Sequence, residues 1–267
     1  MSCDPVAQRL CSVHERLRSL DSLAPSPPVN ALFSELVRLC SAGDGDHALR
    51  CPHVQAIAPS LRRLCARGEY ELEREWARRI IDSVEPAGEL QRFPYRDNYL
   101  QLVEMEMHAL YGLGYTRLRR VAFVGSGPLP LSAILLGRRF GLRVDSVDRQ
   151  AEAHGLAVKV NERLGRCRSL RFHHRDLLSW EPLEGFDAVF LAALVGSDRR
   201  EKRLLLAHLA VRMRPGAVLL VRTAHRLRTL LYPETRLEDL SGFVPKLLLH
   251  PLGDVINSII VAERITP

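Results

Sequence analysis

VAFVGSGPLPLSAILL, residues Val121 to Leu136, passes from an apolar run through a glycine turn into a helical pattern. Val121 to Val124 suit a strand buried on both faces, and the apolar spacing after the turn is that of a helix. In Gly125, Ser126 and Gly127, followed by Pro128 and Leu129, missing Cβ atoms let a ligand lie against the main chain beside a helix N-terminus. Gly-x-Gly alone is a weak signal. The third glycine of a dinucleotide fingerprint is replaced by Leu129-Pro130, which argues against a nicotinamide cofactor.

Downstream, LRVDSVDRQ reads as a second strand ending in Asp148, about twenty residues past the glycines, where a carboxylate accepts hydrogen bonds from ribose hydroxyls. FHHRDLL places Asp176 after a third short strand. Either acid alone would pass for a solvated loop charge or a helix cap. The ordered set of glycine turn and two acids resembles a class I S-adenosylmethionine-binding Rossmann domain, in which the second acid lies near the adenine. Ala192, closing the next strand, joins this ligand-binding set. Strands are expected at Leu142 to Val147, Ser169 to His173, Phe186 to Ala192, Ala217 to Thr223, Val244 to Leu249 and Asn257 to Ala262. Helices are expected at Ala151 to Leu164 and Glu201 to Met213. The alternation predicts a mainly parallel, doubly wound α/β sheet, the class I methyltransferase-like architecture.

The first hundred residues contain no convincing strand. Apolar residues recur at helical spacing in Pro5 to Leu20, Val29 to Cys40, Val54 to Ala66 and Glu69 to Val84, broken by APSPP, by SAGDGD, where Asp46 is a candidate cap, and by Glu85-Pro86-Ala87-Gly88. Phe93-Pro94-Tyr95 reads as an extended approach to a helix that Asp97 or Asn98 caps and Tyr99 begins. The expected organisation is therefore an all-helical N-terminal domain, 1–115, and a Rossmann-like domain, 116–267.

The 267 residues carry a formal charge of +7, with 46% hydrophobic and 26% charged residues, an ordinary soluble balance. The charge fits nucleic acid, an anionic substrate or compositional bias equally well, but no dense basic run with interleaved aromatic residues occurs, and the expected partner is a small-molecule substrate and not nucleic acid. No apolar run reaches membrane-spanning length. The six cysteines lack paired short spacing, and without a secretory leader they read as free thiols of a cytoplasmic protein. His173 and His174 face opposite sides of a strand, and no metal-ligand set is found.

The stretches VNALF, RFPYRDNYLQL, VAFVGSGPLPLS, DAVFLAALVG, RTAHRLRTLLYP and HPLGDVINS lie in family order across nearly the whole chain. On them the chain is identified as resembling the nicotianamine synthases, whose plant members are typically longer. The resemblance implies an aminocarboxypropyltransferase that joins three S-adenosylmethionine molecules, discards three methylthioadenosines and closes one aminobutyrate unit into an azetidine. S-adenosylmethionine is then substrate, no metal is required, and the product is a metal chelator associated with iron homeostasis. It also implies Glu73 and Tyr99 as the groups managing the attacking amine, with Glu106 matching a further family acid. Arg222 is placed to bind a substrate carboxylate, and His225 and Tyr232 to line the same mouth. A homodimer is left open. Asp97 stands where plant members tend to have asparagine, Arg96 replaces an aromatic residue, and HPLGDV loosens an acidic turn.

Three other readings compete. One is a single aminocarboxypropyl transfer to another amine, as in opine-type metallophore synthesis. Another is a methyltransferase of the same fold, and the third is a noncatalytic RNA-binding protein using the basic surface.

Overall fold

The computed structural model describes residues 4–42, 45–181 and 183–265. Cys3 lies outside them. Five helices precede the first strand: α1 (Pro5–Arg18), α2 (Pro27–Ser41), α3 (Pro52–Asp82), α4 (Pro86–Gln91) and α5 (Arg96–Gly112). Four of them, α1 to α4, begin with proline in the first turn, where the missing N–H costs nothing; Asp4 caps α1 with bonds to the amides of Val6 and Ala7. The sheet follows, with β1 (Arg120–Val124), α6 (Leu131–Phe140), β2 (Arg143–Asp148), α7 (Ala151–Arg163), β3 (Leu170–His174), β4 (Ala188–Leu191), α8 (Arg199–Arg212), β5 (Val218–Thr223), β6 (Phe243–Leu249) and β7 (Ser258–Arg264).

The seven strands are ordered β3-β2-β1-β4-β5-β7-β6. The pairs from β3 through β5 are parallel, and β7 runs antiparallel between β5 and β6. This is the doubly wound sheet the alternation predicted. Its order reverses between β1 and β4, so the loops after those two strands diverge and leave a crevice at their carboxyl ends, where open α/β sheets take ligands.

Four helix expectations differ from the structure. The regions 54–66 and 69–84 are one helix of 31 residues, α3, which runs through Gly68. A glycine there costs helix stability, roughly 1 kcal/mol, but a Cβ on Gly68 would collide with the Phe33 ring, so packing against α2 requires it. Residues 86–88, expected as a break, open the short α4. Helix α5 starts at Arg96, not Tyr99, with Tyr95 in a turn conformation as its cap residue. Asp46 does not cap; it opens a 3-10 turn and pairs with Arg226 at 2.9 Å.

The apolar interior has three parts. One face of the sheet (Phe123, Phe190, Leu220, Val261) packs on α5, α6 and the second half of α3 through Trp76 and Ile80. The other face (Val124, Val189, Val221) packs on Leu205, Leu206 and Leu209 of α8. The third joins α1, α2 and the first half of α3 to Leu227, Leu230, Leu231 and Ile256. The apolar clusters thus divide within α3. At 1.5 Å per residue α3 is roughly 46 Å long, enough to serve both. No helix among the described residues is long and apolar enough to cross a membrane.

Candidate active site

A cavity of about 810 Å3 lies where α3 and α5 cross the carboxyl ends of β1, β2 and β4, within the usual range for small-molecule sites. The turn after β1 forms its sheet-side wall. Gly125 and Gly127 both have positive φ, 82° and 65°. A Cβ on Gly125 would strike Val195, and one on Gly127 would strike the Glu73 carboxylate. The two glycines therefore let the loop after β4 and the carboxylate from α3 close onto the turn. Asp148, at the end of β2, accepts hydrogen bonds from the Gly127 amide through Oδ2 and the Gln150 amide through Oδ1, both at 2.9 Å. That holds the turn against β2 while the carboxylate still lines the cavity.

Opposite the glycines, α3 contributes two acids one turn apart. Glu73 is only 7% exposed. Tyr99 of α5 donates its phenol hydrogen to Glu73 Oε1, and the Leu129 amide is a further partner. Burial first, and the neighbouring Glu69 second, push the Glu73 carboxyl well above the usual carboxylate range. Glu69 Oε2 accepts a hydrogen bond from the Tyr232 hydroxyl at 2.8 Å, and burial raises Glu69 as well. Both phenols are raised by burial and then by the carboxylates beside them. The helical wall thus presents two carboxylate–phenol pairs in a desolvated place, suited to holding a cation and taking its proton.

The structure brings together most of the residues singled out from sequence. Gly125, Ser126, Gly127, Pro128, Leu129, Asp148, Asp176, Ala192, Glu73, Tyr99, Arg222 and Tyr232 all line the cavity. Asp176 also caps a 3-10 turn, accepting the Leu178 amide at 2.9 Å. Two residues sit elsewhere. Glu106 is fully buried behind the wall, where it accepts Arg222 Nε at 2.6 Å and Nη2 at 3.0 Å. It holds the arginine instead of meeting a ligand itself. His225 does not line the cavity; its ring stacks on His250 with centroids 3.8 Å apart. Arg222 also donates through Nη2 to Ser132 Oγ at 2.9 Å, which leaves Nη1 without a partner among the described residues. The Nε–Nη2 fork of Arg222 is thus spent on Glu106, and Nη1 is what this cavity-lining residue has left for a substrate carboxylate.

Sequence reasoning passed over two residues. Glu69 stands in sequence among the acids Glu71, Glu73 and Glu75, and its i,i+4 spacing from Glu73 is the signal that it shares the same face. Lys202 is 1% exposed, and its Nζ donates to the Ala193 carbonyl at 2.8 Å, pinning the loop after β4. Burial pushes this lysine down to about 8. Nothing local marks it, since it stands among the charges of Arg199-Arg200-Glu201-Lys202-Arg203.

Residues 2–267 match the family model described as nicotianamine synthase protein. The chain belongs to the nicotianamine synthase family. A nicotianamine synthase of Solanum lycopersicum is 35% identical over 270 residues, covering 98% of this chain and 84% of the relative. Nicotianamine synthase 3 of Arabidopsis thaliana is 37% identical, covering 99% and 86%. Nicotianamine synthase 2 of Oryza sativa subsp. japonica is 38% identical, covering 98% and 83%. Among solved structures, a glutamate-to-glutamine variant of MtNAS in complex with S-adenosylmethionine superposes with a TM-score of 0.85 at 25% identity, covering 99% of this chain and all of that one. MtNAS in complex with MTA and tNA matches to the same extent.

Proposed function

We propose that this chain condenses three S-adenosylmethionine molecules by 3-amino-3-carboxypropyl transfer. The products are nicotianamine, with one unit closed to an azetidine, and three methylthioadenosines. The observation that carries the reading is the Glu73–Tyr99 pair seated over the Gly127 turn, in a chain of this family.

The sulfonium of S-adenosylmethionine has three carbon neighbours open to displacement, so the product depends on which carbon the nucleophile reaches. Holding the nucleophile in a near-attack pose is worth ~7–11 kcal/mol, enough to choose among them. In this site the nucleoside lies along Gly125 to Gly127, with ribose hydroxyls at Asp148 and the adenine toward Asp176 and Ala192. The methionine arm then points to the α3 wall. An α-ammonium cannot attack while its lone pair is protonated. Glu73 binds that ammonium and takes its proton, helped by a pKa lifted toward the working range, and Tyr99 orients the carboxylate. The freed nitrogen attacks the γ-carbon of the second molecule, the C–S bond breaks, and its electron pair leaves with methylthioadenosine. Arg222, braced by Glu106 and Ser132, offers its Nη1 edge to a substrate carboxylate. The product is a metal chelator, which gives the reaction its place in iron homeostasis.

Incubating the protein with S-adenosylmethionine alone and analysing products by mass spectrometry tests this. Methylthioadenosine with a nicotianamine mass is the expected result. S-adenosylhomocysteine, with its amino-acid tail intact, refutes it in favour of methyl transfer. An absolute need for a second amine refutes it in favour of a single transfer.

A further inference from the structure

Glu69 and Glu73 each hold a phenol, lie four residues apart on α3 and line one cavity. Side chains at i and i+4 of a helix are neighbours about 5–6 Å apart at Cβ. In a chain of joined aminobutyrate units, successive nitrogens are separated by four bonds, N–Cγ–Cβ–Cα–N. At ordinary bond lengths of about 1.5 Å these span roughly 5 Å when extended. The spacing of the carboxylates along the helix therefore matches the spacing of nitrogens along the growing product.

We infer that Glu69 with Tyr232 is a second ammonium post, which holds the nitrogen joined in one condensation while Glu73 and Tyr99 prepare the next amine for attack. This rests on the aminocarboxypropyl-transfer reading and deepens it. After the first transfer the acceptor nitrogen is a secondary amine, protonated and cationic at neutral pH. The transferred unit carries a fresh primary amine one repeat away. If the intermediate moves by one repeat along α3, the secondary ammonium meets Glu69 and the primary amine meets Glu73. No new machinery is needed for the second step. The same face of α3 ends the register: one turn before Glu69 lies Cys65, which is 8% exposed and carries no charge-bearing acceptor. Two carboxylates thus index two acceptor nitrogens. Arg222, near enough to Glu69 to act on its charge, is placed to balance the carboxylates of the same intermediate.

Glu69 is a positioning residue for the second step in this account, so its loss should separate the steps. The experiment is Glu69→Gln incubated with S-adenosylmethionine, with single-transfer and double-transfer products quantified by mass and methylthioadenosine counted against both. Tyr232→Phe is the companion variant, and S-adenosylmethionine binding and thermal unfolding confirm the fold of each. The expected result is that the single-transfer product accumulates and the ratio of nicotianamine to it falls roughly tenfold or more, whatever the change in the rate of the first transfer. Tyr232→Phe shifts the ratio the same way by less, and supplies the reading if Glu69→Gln does not fold. An unchanged product ratio in the folded variants overturns the inference, as does a proportional fall of both products. If the unmodified protein itself makes no aminocarboxypropyl product, the underlying activity has failed instead.

Discussion

Replacing Glu73 by glutamine keeps the side chain's shape and removes its charge and its capacity to take a proton. The residue is 7% exposed, meets the Gly127 turn and receives the Tyr99 phenol, so glutamine fits without a cavity. General-base assistance is worth 10²- to 10⁴-fold, or about 3–5 kcal/mol at 1.36 kcal/mol per tenfold, and methylthioadenosine formation should fall by that range. Stability should move the other way. A carboxyl raised above its ordinary 4.5 by burial and by Glu69 keeps its proton more readily when folded than when unfolded. It is neutral in both states at low pH, and it turns against folding as pH rises above its unfolded value into the raised range. Glutamine lacks this penalty. The variant should therefore match or exceed the parent's unfolding temperature at pH 8, and that advantage should vanish near pH 4.5. The assay is chromatography of methylthioadenosine with saturating S-adenosylmethionine, beside thermal unfolding at the two pH values and a cofactor-binding titration. Turnover within threefold of the parent would remove Glu73 from the proton-transfer role. Lost turnover with lost binding and a lowered unfolding temperature would show the residue to be structural.

Other consequences are as direct. After burial, Glu69 is the group that most raises Glu73, with Asp148 a smaller contributor, so Glu69→Gln should shift the acidic limb of the kcat/KM profile to lower pH; a limb that stays put or rises contradicts the electrostatic coupling. Gly127→Ala places a left-handed alanine at a cost of ~1–2 kcal/mol and drives its Cβ into the Glu73 carboxylate. Thermal stability should drop modestly and methylthioadenosine formation severely, and a variant with near-parent turnover would break the link between the turn and the acid. Glu106→Gln leaves the buried Arg222 cation without its counter-charge and should cost about 3–5 kcal/mol in denaturant unfolding, much of it recovered when Arg222→Met is added. A loss under about 1 kcal/mol would mean that the pair is reached by water.

Much of the architecture is legible in the sequence because it is written locally. The strand before Gly125, the glycine turn, the acid ending β2 and the alternation after it depend on residue type and spacing within a few positions, and the alternation is enough for a mainly parallel, doubly wound sheet. The resemblance to one family adds Glu73 and Tyr99, whose contact the fold then makes. Tertiary structure decides matters that depend on distant segments meeting. Gly68 looks like a helix break until the Phe33 ring from α2 fills the space its side chain would take. Glu69 and Lys202 look like solvated charges until Tyr232, after β5, bonds the half-buried carboxylate and the loop after β4 takes in the lysine. Arg222 near the end of β5 and His225 just after it look alike as ligands, yet Glu106 on α5 secures one beside the cavity and His250 draws the other away. Periodicity encodes which face a residue occupies along its own element. What covers that face, and so whether a carboxylate is solvated or is desolvated and able to accept a proton, is set by residues tens to hundreds of positions away.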